Sequence, residues 1–183
     1  QLHLGEVAYS DMDIDGLQLL PKTGWDEMLE PHWQVGETGA HTRLTTFVDS
    51  ELSGYKIGRN FPAAPNVSRL SPHLRWGEVS PNTIWYAAKD RMAAGHIGHE
   101  DVDHFLSELG WREFSYMLLY YFPNLPRQNL QQRFDKFPWK KDADALFRWQ
   151  RGQTGYPIVD AAMRQLWQTG YMHNRLRMIV GSF

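Results

Sequence analysis

The stretch Val102-Asp103-His104-Phe105-Leu106-Ser107-Glu108-Leu109-Gly110-Trp111-Arg112-Glu113-Phe114-Ser115-Tyr116-Met117-Leu118-Leu119-Tyr120-Tyr121 decides the fold. Val102, Phe105, Leu109, Phe114, Met117, Leu118 and Tyr121 keep a helical period up to Pro123, which predicts one long helix with an apolar face. The same period extends in both directions. Toward the N-terminus the pattern is helical from Trp25 onward. Leu44, Phe47, Val48, Leu52 and Tyr55 then fall three or four apart, as one buried helix face requires, before Gly58 and Pro62 break the run. Ser80-Pro81 places an N-cap before a proline at the first helical position; Ile84, Trp85 and Ala88 follow, and Gly95 is a stop. Toward the C-terminus Pro157 opens the helix Ile158 to Trp167, Gly170 closes it, and a last helix begins near His173. No alternating strand run, internal repeat or low-complexity tract competes, so the expected fold class is all-α.

At 183 residues the length argues for a single domain plus some linker. Asp11, Asp13, Asp15, Gly16 and Pro21 give residues 1–22 the composition of a connecting segment, leaving 23–183 as the helical domain. No apolar run approaches the ~20 residues that cross a bilayer, and the N-terminus lacks a signal-peptide pattern; the expectation is a soluble, cytoplasmic protein. The absence of Cys removes disulfides, thiolate catalysis and Cys-ligated metals, and the eight His lack ligand spacing, so no metal is expected. The 25 aromatic residues, eight of them Trp, exceed what a core of this size needs and point to a further task for some rings. Charge is uneven: from Arg127 onward ten Lys/Arg face four Asp/Glu, whereas residues 1–126 carry nine against 17. The basic C-terminal third suits phosphate, although basic residues also simply solvate helices. The chain begins at Gln1 and stops at Gly181-Ser182-Phe183 without a helix stop signal, which reads as a fragment.

Three groups of residues carry candidate chemistry. Asn66-Val67-Ser68-Arg69-Leu70-Ser71-Pro72 precedes a helix and offers two hydroxyls, a guanidinium and backbone N–H groups, a set that holds phosphate or merely caps a helix. Glu108, Trp111 and Arg112 share one side of the long helix at i, i+3 and i+4; the plain alternative is a Glu108–Arg112 ion pair beside a core Trp. Asn174, Arg177 and Met178 occupy one face of the last helix, with Arg175 turned elsewhere. An amide next to a cation suits a heteroaromatic edge, while Asn at a helix start is also a common cap.

In this order, Ser68 to Pro72, Arg75-Trp76-Gly77-Glu78-Val79-Ser80-Pro81, Glu108 to Phe114, Gly152 to Arg164 and Met172-His173-Asn174-Arg175-Leu176-Arg177-Met178 resemble the photolyase and cryptochrome family. The likeness covers roughly residues 23–183 and is most like a class I-type cyclobutane pyrimidine dimer photolyase. It implies the helical domain that binds FAD in a folded form. Tyr55 and the turn Val67, Ser68, Arg69, Leu70 and Ser71 match positions that hold the cofactor's phosphates. Phe105, Glu108 and Arg112 match the lining of the flavin pocket and damage site, and Asn174 and Arg177 match positions near the adenine and isoalloxazine. The implied partner is DNA containing pyrimidine dimers, turned out of the duplex to reach the flavin. Trp111 then stacks on the flipped dimer, Glu108 and Asn174 address its polar edge, and Arg112, Ser115, Arg175 and Met178 contact DNA. Trp139, in Phe137-Pro138-Trp139-Lys140, matches the solvent-side end of an electron relay. A monomer is implied.

Two departures accompany the likeness. Many relatives have Thr where this chain has Val67, so backbone N–H groups must replace one hydroxyl to phosphate. The family's paired flavin-contacting Asp residues, the Asn beside the flavin and two relay Trp residues are expected beyond Phe183, and an antenna chromophore in an N-terminal domain that the chain lacks. Rival readings are a cryptochrome photoreceptor, a (6-4) photoproduct photolyase and a cofactor-free helical interaction module. Plant cryptochromes tend to carry an aliphatic residue at Trp111, and (6-4) enzymes carry His at Asn174 and Met178; both positions here favour cyclobutane dimers.

Overall fold

The computed structural model describes residues 14–19 and 22–183, so most of the expected linker 1–22 lies outside the described residues. Among these residues eight α-helices follow one another: α1 Glu37–Thr46, α2 Tyr55–Gly58, α3 Ser71–Trp76, α4 Pro81–Ala93, α5 His99–Tyr121, α6 Ala143–Gln150, α7 Pro157–Thr169 and α8 Asn174–Ser182. Among the described residues there is no strand, as the all-α expectation requires.

Helical structure does not start at Trp25. Turns and a short 3-10 segment, Glu30–His32, come first, because Pro31 withholds a backbone N–H and Gly36 sits at φ 96°, where only glycine is comfortable. The face Leu44, Phe47, Val48, Leu52 and Tyr55 is buried throughout, yet it does not belong to one regular helix. After α1 the coil widens into a π-turn over Phe47–Glu51, closed by the Leu52 amide on the Phe47 carbonyl at 2.9 Å. Gly54, at φ 76°, then restarts the chain as α2. Ser80 caps α4 as expected, its hydroxyl accepting from the Thr83 amide at 3.0 Å; Ile84 and Ala88 face inward and Trp85 outward.

The long helix α5 is anchored at its start, where the Asp101 carboxylate accepts from the amides of Gly54 (2.8 Å) and Lys56 (2.9 Å). Its apolar face behaves differently in its two halves. Val102, Phe105, Leu106 and Leu109 are buried, whereas Phe114, Met117 and Tyr121, expected on the same inner face, are exposed. Arg112 reaches the Leu74 carbonyl of α3 at 3.4 Å, but no residue of α5 beyond Leu109 is buried, so periodicity alone does not decide burial.

Two cores result. The first gathers α1, the π-turn, α2, α4 and the first half of α5 around Phe47, whose ring lies 4.7 Å from Phe105 and 5.8 Å from Tyr55. The second is smaller and joins α7 to α8 through Val159, Ala162, Met163, Met172, Leu176 and Val180, with Trp149 of α6 donating its indole N–H to the Val180 carbonyl at 3.0 Å. Polar contacts bridge the two: the Trp33 indole N–H donates to the Thr169 carbonyl at 2.6 Å, and Arg175 donates from Nε to Asn60 Oδ1 at 3.0 Å.

Candidate functional site

A cleft of about 240 Å³ lies between the two cores. From the first come Tyr55 and Arg59 of the α2 region, the turn Val67 to Ser71, and Glu108 of α5; from the second come Tyr171, Met172, His173, Asn174 and Arg177. Residues more than a hundred positions apart therefore meet because α7 ends at Gly170, whose φ of 68° turns the chain back toward the first unit.

The turn is held from behind. Arg43 of α1 donates from Nε to the Ser68 carbonyl at 2.7 Å and from Nη2 to the Val67 carbonyl at 2.9 Å, while its guanidinium pairs with Glu51. Asn66 donates to the carbonyls of Glu51 (2.8 Å) and Ser53 (2.9 Å), and Gly58 leaves it room: a Cβ there would meet Asn66 Oδ1 at 2.1 Å. The Val67 amide is spent on the Pro65 carbonyl at 2.7 Å, so the expectation that backbone N–H groups replace a hydroxyl does not extend to that amide. Arg69 stands at φ 52°, a strained conformation for a residue with a Cβ, and lays its guanidinium 4.5 Å from the Tyr171 ring centre.

On the opposite wall Glu108 pairs with Arg59, not with Arg112. The anticipated i, i+4 pair does not form because Arg112 pairs with Glu113 and lies 4.8 Å from the Tyr116 ring centre. Arg59 also sits 5.3 Å from the Tyr55 ring centre. Burial pushes the Tyr55 hydroxyl up to about 12, so it stays a neutral donor, even though Arg59 pulls the other way. Tyr171 is raised for the same reason against the opposing charge of Arg69.

His173, not Asn174, caps α8: its Nδ1 accepts from the Arg175 amide at 3.2 Å. Burial and the charges of Arg175 and Arg59 hold its pKa below the usual imidazole value, so the ring is neutral near pH 7. A neutral ring whose Nδ1 accepts carries its proton on Nε2. That Nε2 is buried and has no partner among the described residues. A buried donor without an acceptor is costly.

Nine sequence-expected cofactor residues line the cleft: Tyr55, Val67, Ser68, Arg69, Leu70, Ser71, Glu108, Asn174 and Arg177. Phe105 does not, being packed behind Tyr55 with ring centres 5.4 Å apart, and Arg112 lies outside the lining. Trp111 and Ser115 follow on the exposed half of α5, with Trp111 edge-on to Phe114. Met178 is exposed and does not line the cleft with Asn174 and Arg177; its sulfur lies 3.7 Å from Arg175 Nη1. Trp139 is far out in solvent, its ring centre 4.6 Å from that of Phe137. The sequence does not single out Arg59, Tyr171 or Met172, and it marks His173 only as the start of the last helix; Tyr171, Met172 and His173 lie in or beside a quoted motif. No group of three or more metal-capable side chains occurs among the described residues, and no helix there is long and apolar enough to cross a membrane.

Residues 105–183 match the family described as the FAD binding domain of DNA photolyase. A deoxyribodipyrimidine photo-lyase of Agrobacterium fabrum is 51% identical over 171 residues, which is 93% of this chain and 35% of that protein. The crystal structure of a bacterial class III photolyase from Agrobacterium tumefaciens superposes with a TM-score of 0.90 at 48% identity, over 97% of this chain and 37% of that one. The motifs alone suggested a class I type. The structure of a Synechocystis cryptochrome gives a TM-score of 0.78 at 32% identity, over 91% and 35%. The chain thus spans about a third of the length of these relatives.

Proposed function

The chain belongs to the DNA photolyase and cryptochrome family, and from that premise we propose that residues 23–183 form part of an FAD-binding helical domain serving light-driven repair of cyclobutane pyrimidine dimers in DNA. The observation that carries the reading is the cleft, whose donors fit such a cofactor. Ser68, Arg69 and Ser71 offer hydroxyls, amides and a guanidinium to phosphate oxygens. Asn174 and Arg177 stand together at the start of α8, where an amide and a cation can address a heteroaromatic edge. The chemistry FAD supplies when bound is light-driven electron donation to the dimer and recovery of that electron. The residues of this chain hold and orient.

Outside the cleft, Trp111 is proposed to stack on a dimer turned out of the duplex, next to Glu108 one turn earlier on α5. Arg112, Ser115, Arg175 and Met178 are proposed to contact DNA, and Trp139 to stand at the solvent end of an electron relay. An antenna chromophore in a further domain, a monomeric whole protein and a cytoplasmic location complete the proposal. A blue-light photoreceptor of the cryptochrome type is the second reading, favoured by the likeness to the Synechocystis structure. The exposed Trp111 supports repair over that alternative, because an indole in solvent provides a stacking surface.

Residues 1–183 alone should retain FAD well below one per chain. A cleft of about 240 Å³ falls short of the ~300–1,000 Å³ that ligand pockets commonly offer. Absorption after gel filtration checks this, and a full flavin band at one per chain would refute it. The deciding experiment is Trp111→Ala in a protein of the relatives' full length. Affinity for a thymine-dimer oligonucleotide should fall about ten- to hundredfold, while FAD content and melting temperature hold. Preserved lesion discrimination with a collapsed melting temperature makes Trp111 structural. No discrimination in the unmutated protein transfers the assignment to the photoreceptor.

A further inference from the structure

On the outer side of α7, away from the cleft, Arg151, Gln153, Arg164, Trp167 and Gln168 line a depression of about 400 Å³. None of these residues belongs to the flavin cleft. Trp167 is 59% exposed, yet its indole N–H donates to the Gln150 carbonyl at 2.7 Å, so the ring is pinned rather than free to rotate. Arg164 spends its Nε on the Gly152 carbonyl at 3.0 Å and keeps its terminal nitrogens. Arg151 lies 4.8 Å from the Phe147 ring centre, which orients its guanidinium without neutralising it. No carboxylate lines the depression. Asp160, the acid nearest in sequence to Arg164 on α7, already accepts from the Thr154 amide (2.7 Å), the Thr154 hydroxyl (2.6 Å) and the Gly155 amide (3.0 Å).

We propose that this depression binds one nucleotide unit, its phosphate between Arg151 and Arg164 and its base on the face of Trp167, with Gln153 and Gln168 at the base edge. Two guanidiniums, of which Arg164 alone has a carboxylate within electrostatic reach, the already hydrogen-bonded Asp160, favour an anion that accepts forked hydrogen bonds, as phosphate does. A bare anion would leave the indole unused; a base fills it, because every base has a π-face. The volume suits a ligand of that size. The nucleotide belongs either to single-stranded nucleic acid or to a free mononucleotide, and the site is indifferent to dimers, so it stands independently of the repair reading.

The test is fluorescence anisotropy of a short labelled oligothymidylate with the 183-residue chain at low salt, using dTMP as competitor. Trp167→Ala should weaken binding about five- to hundredfold. Arg151→Gln with Arg164→Gln should reduce the salt slope by about 0.7, the share of one single-strand phosphate, and Arg151→Lys should keep that slope. Competition by dTMP at concentrations comparable to the oligonucleotide assigns a free nucleotide; competition by unlabelled oligonucleotide alone assigns a strand, and both support the site. If Arg164→Gln lowers the melting temperature, Arg151→Gln alone carries the measurement, since its guanidinium rests only on Phe147. The proposal is overturned if the unmutated chain binds neither ligand, if the variants bind with unchanged affinity and slope, or if an acidic peptide displaces the oligonucleotide at equal charge.

Discussion

The two helical units that flank the cleft are held together by different means. The first has a thick aromatic core, in which Phe47, Tyr55 and Phe105 interlock over aliphatic side chains from α1, α4 and α5. The second has six buried apolar residues, none of them aromatic, and relies on polar pins. Asp160 gathers three donors, Arg164 holds the Gly152 carbonyl, and Trp149 holds the Val180 carbonyl. A cleft wall built on hydrophobic mass should resist changes in its loops and fail when its core is cut. A wall built on pins should fail at a glycine or with protonation.

The largest effect is expected from Phe105→Ala, which should cost about 3–5 kcal/mol of stability in denaturant unfolding. A loss under about 1 kcal/mol would mean that the aromatic core is dispensable and that Phe105 belongs to the site after all. Gly152→Ala comes next, at about 1–3 kcal/mol. Gly152 has φ 61° and a Cβ there would stand 2.8 Å from the Asp160 carbonyl oxygen, so the substitution strains the backbone and pushes against backbone. Hydrogen exchange should place that loss in α7 and α8 while α4 and α5 stay protected; uniform loss would show that the units unfold as one.

The smallest effect is a pH dependence of the second unit. His173 is held below its unfolded value of ~6.5, so the folded state binds fewer protons, and stability rises with pH in that window. Its contribution is complete above about pH 6.5 and is lost as pH falls toward the depressed folded value. Asp160 is lowered by its Thr154 and Gly155 hydrogen bonds, so its share is present above ~3.9 and goes only as pH falls through its lower folded value. Two successive acid steps in the exchange of α7 and α8 are expected, and His173→Gln should remove the first alone.

Much of this was legible in one dimension because it depends on neighbours in sequence. Ser80-Pro81, Pro157 and Gly170 punctuate α4 and α7 through local backbone chemistry, and the structure places them as expected. The sequence does not delimit α3 and α6: α3 is six residues long and α6 has no buried residue, so neither shows a core period. The exposed half of α5 was misread as inner because spacing reports an apolar stripe, not what covers it. At the cleft, the turn 67–71 and Asn174 were visible as clusters of donors. Arg59 was not, since Ile57-Gly58-Arg59-Asn60 reads as a surface turn and its carboxylate partner lies 49 positions away. Glu108 was visible, but its choice of Arg59 over Arg112 depends on where α2 packs against α5.

Arg43 determines more than the position of the turn behind which it sits. A trans peptide plane carries its C=O and N–H in opposite directions, and Arg43 grips the carbonyls of Val67 and Ser68 from one side. The amides that share those planes, of Ser68 and Arg69, are thereby aimed the other way, as a pair of fixed dipoles whose positive ends need no ligand to align them. Arg43 thus fixes both planes in advance, and an anion binding there would meet little reorganisation. A lysine in its place would keep the charge and lose the fork, leaving one of the two planes free to swing.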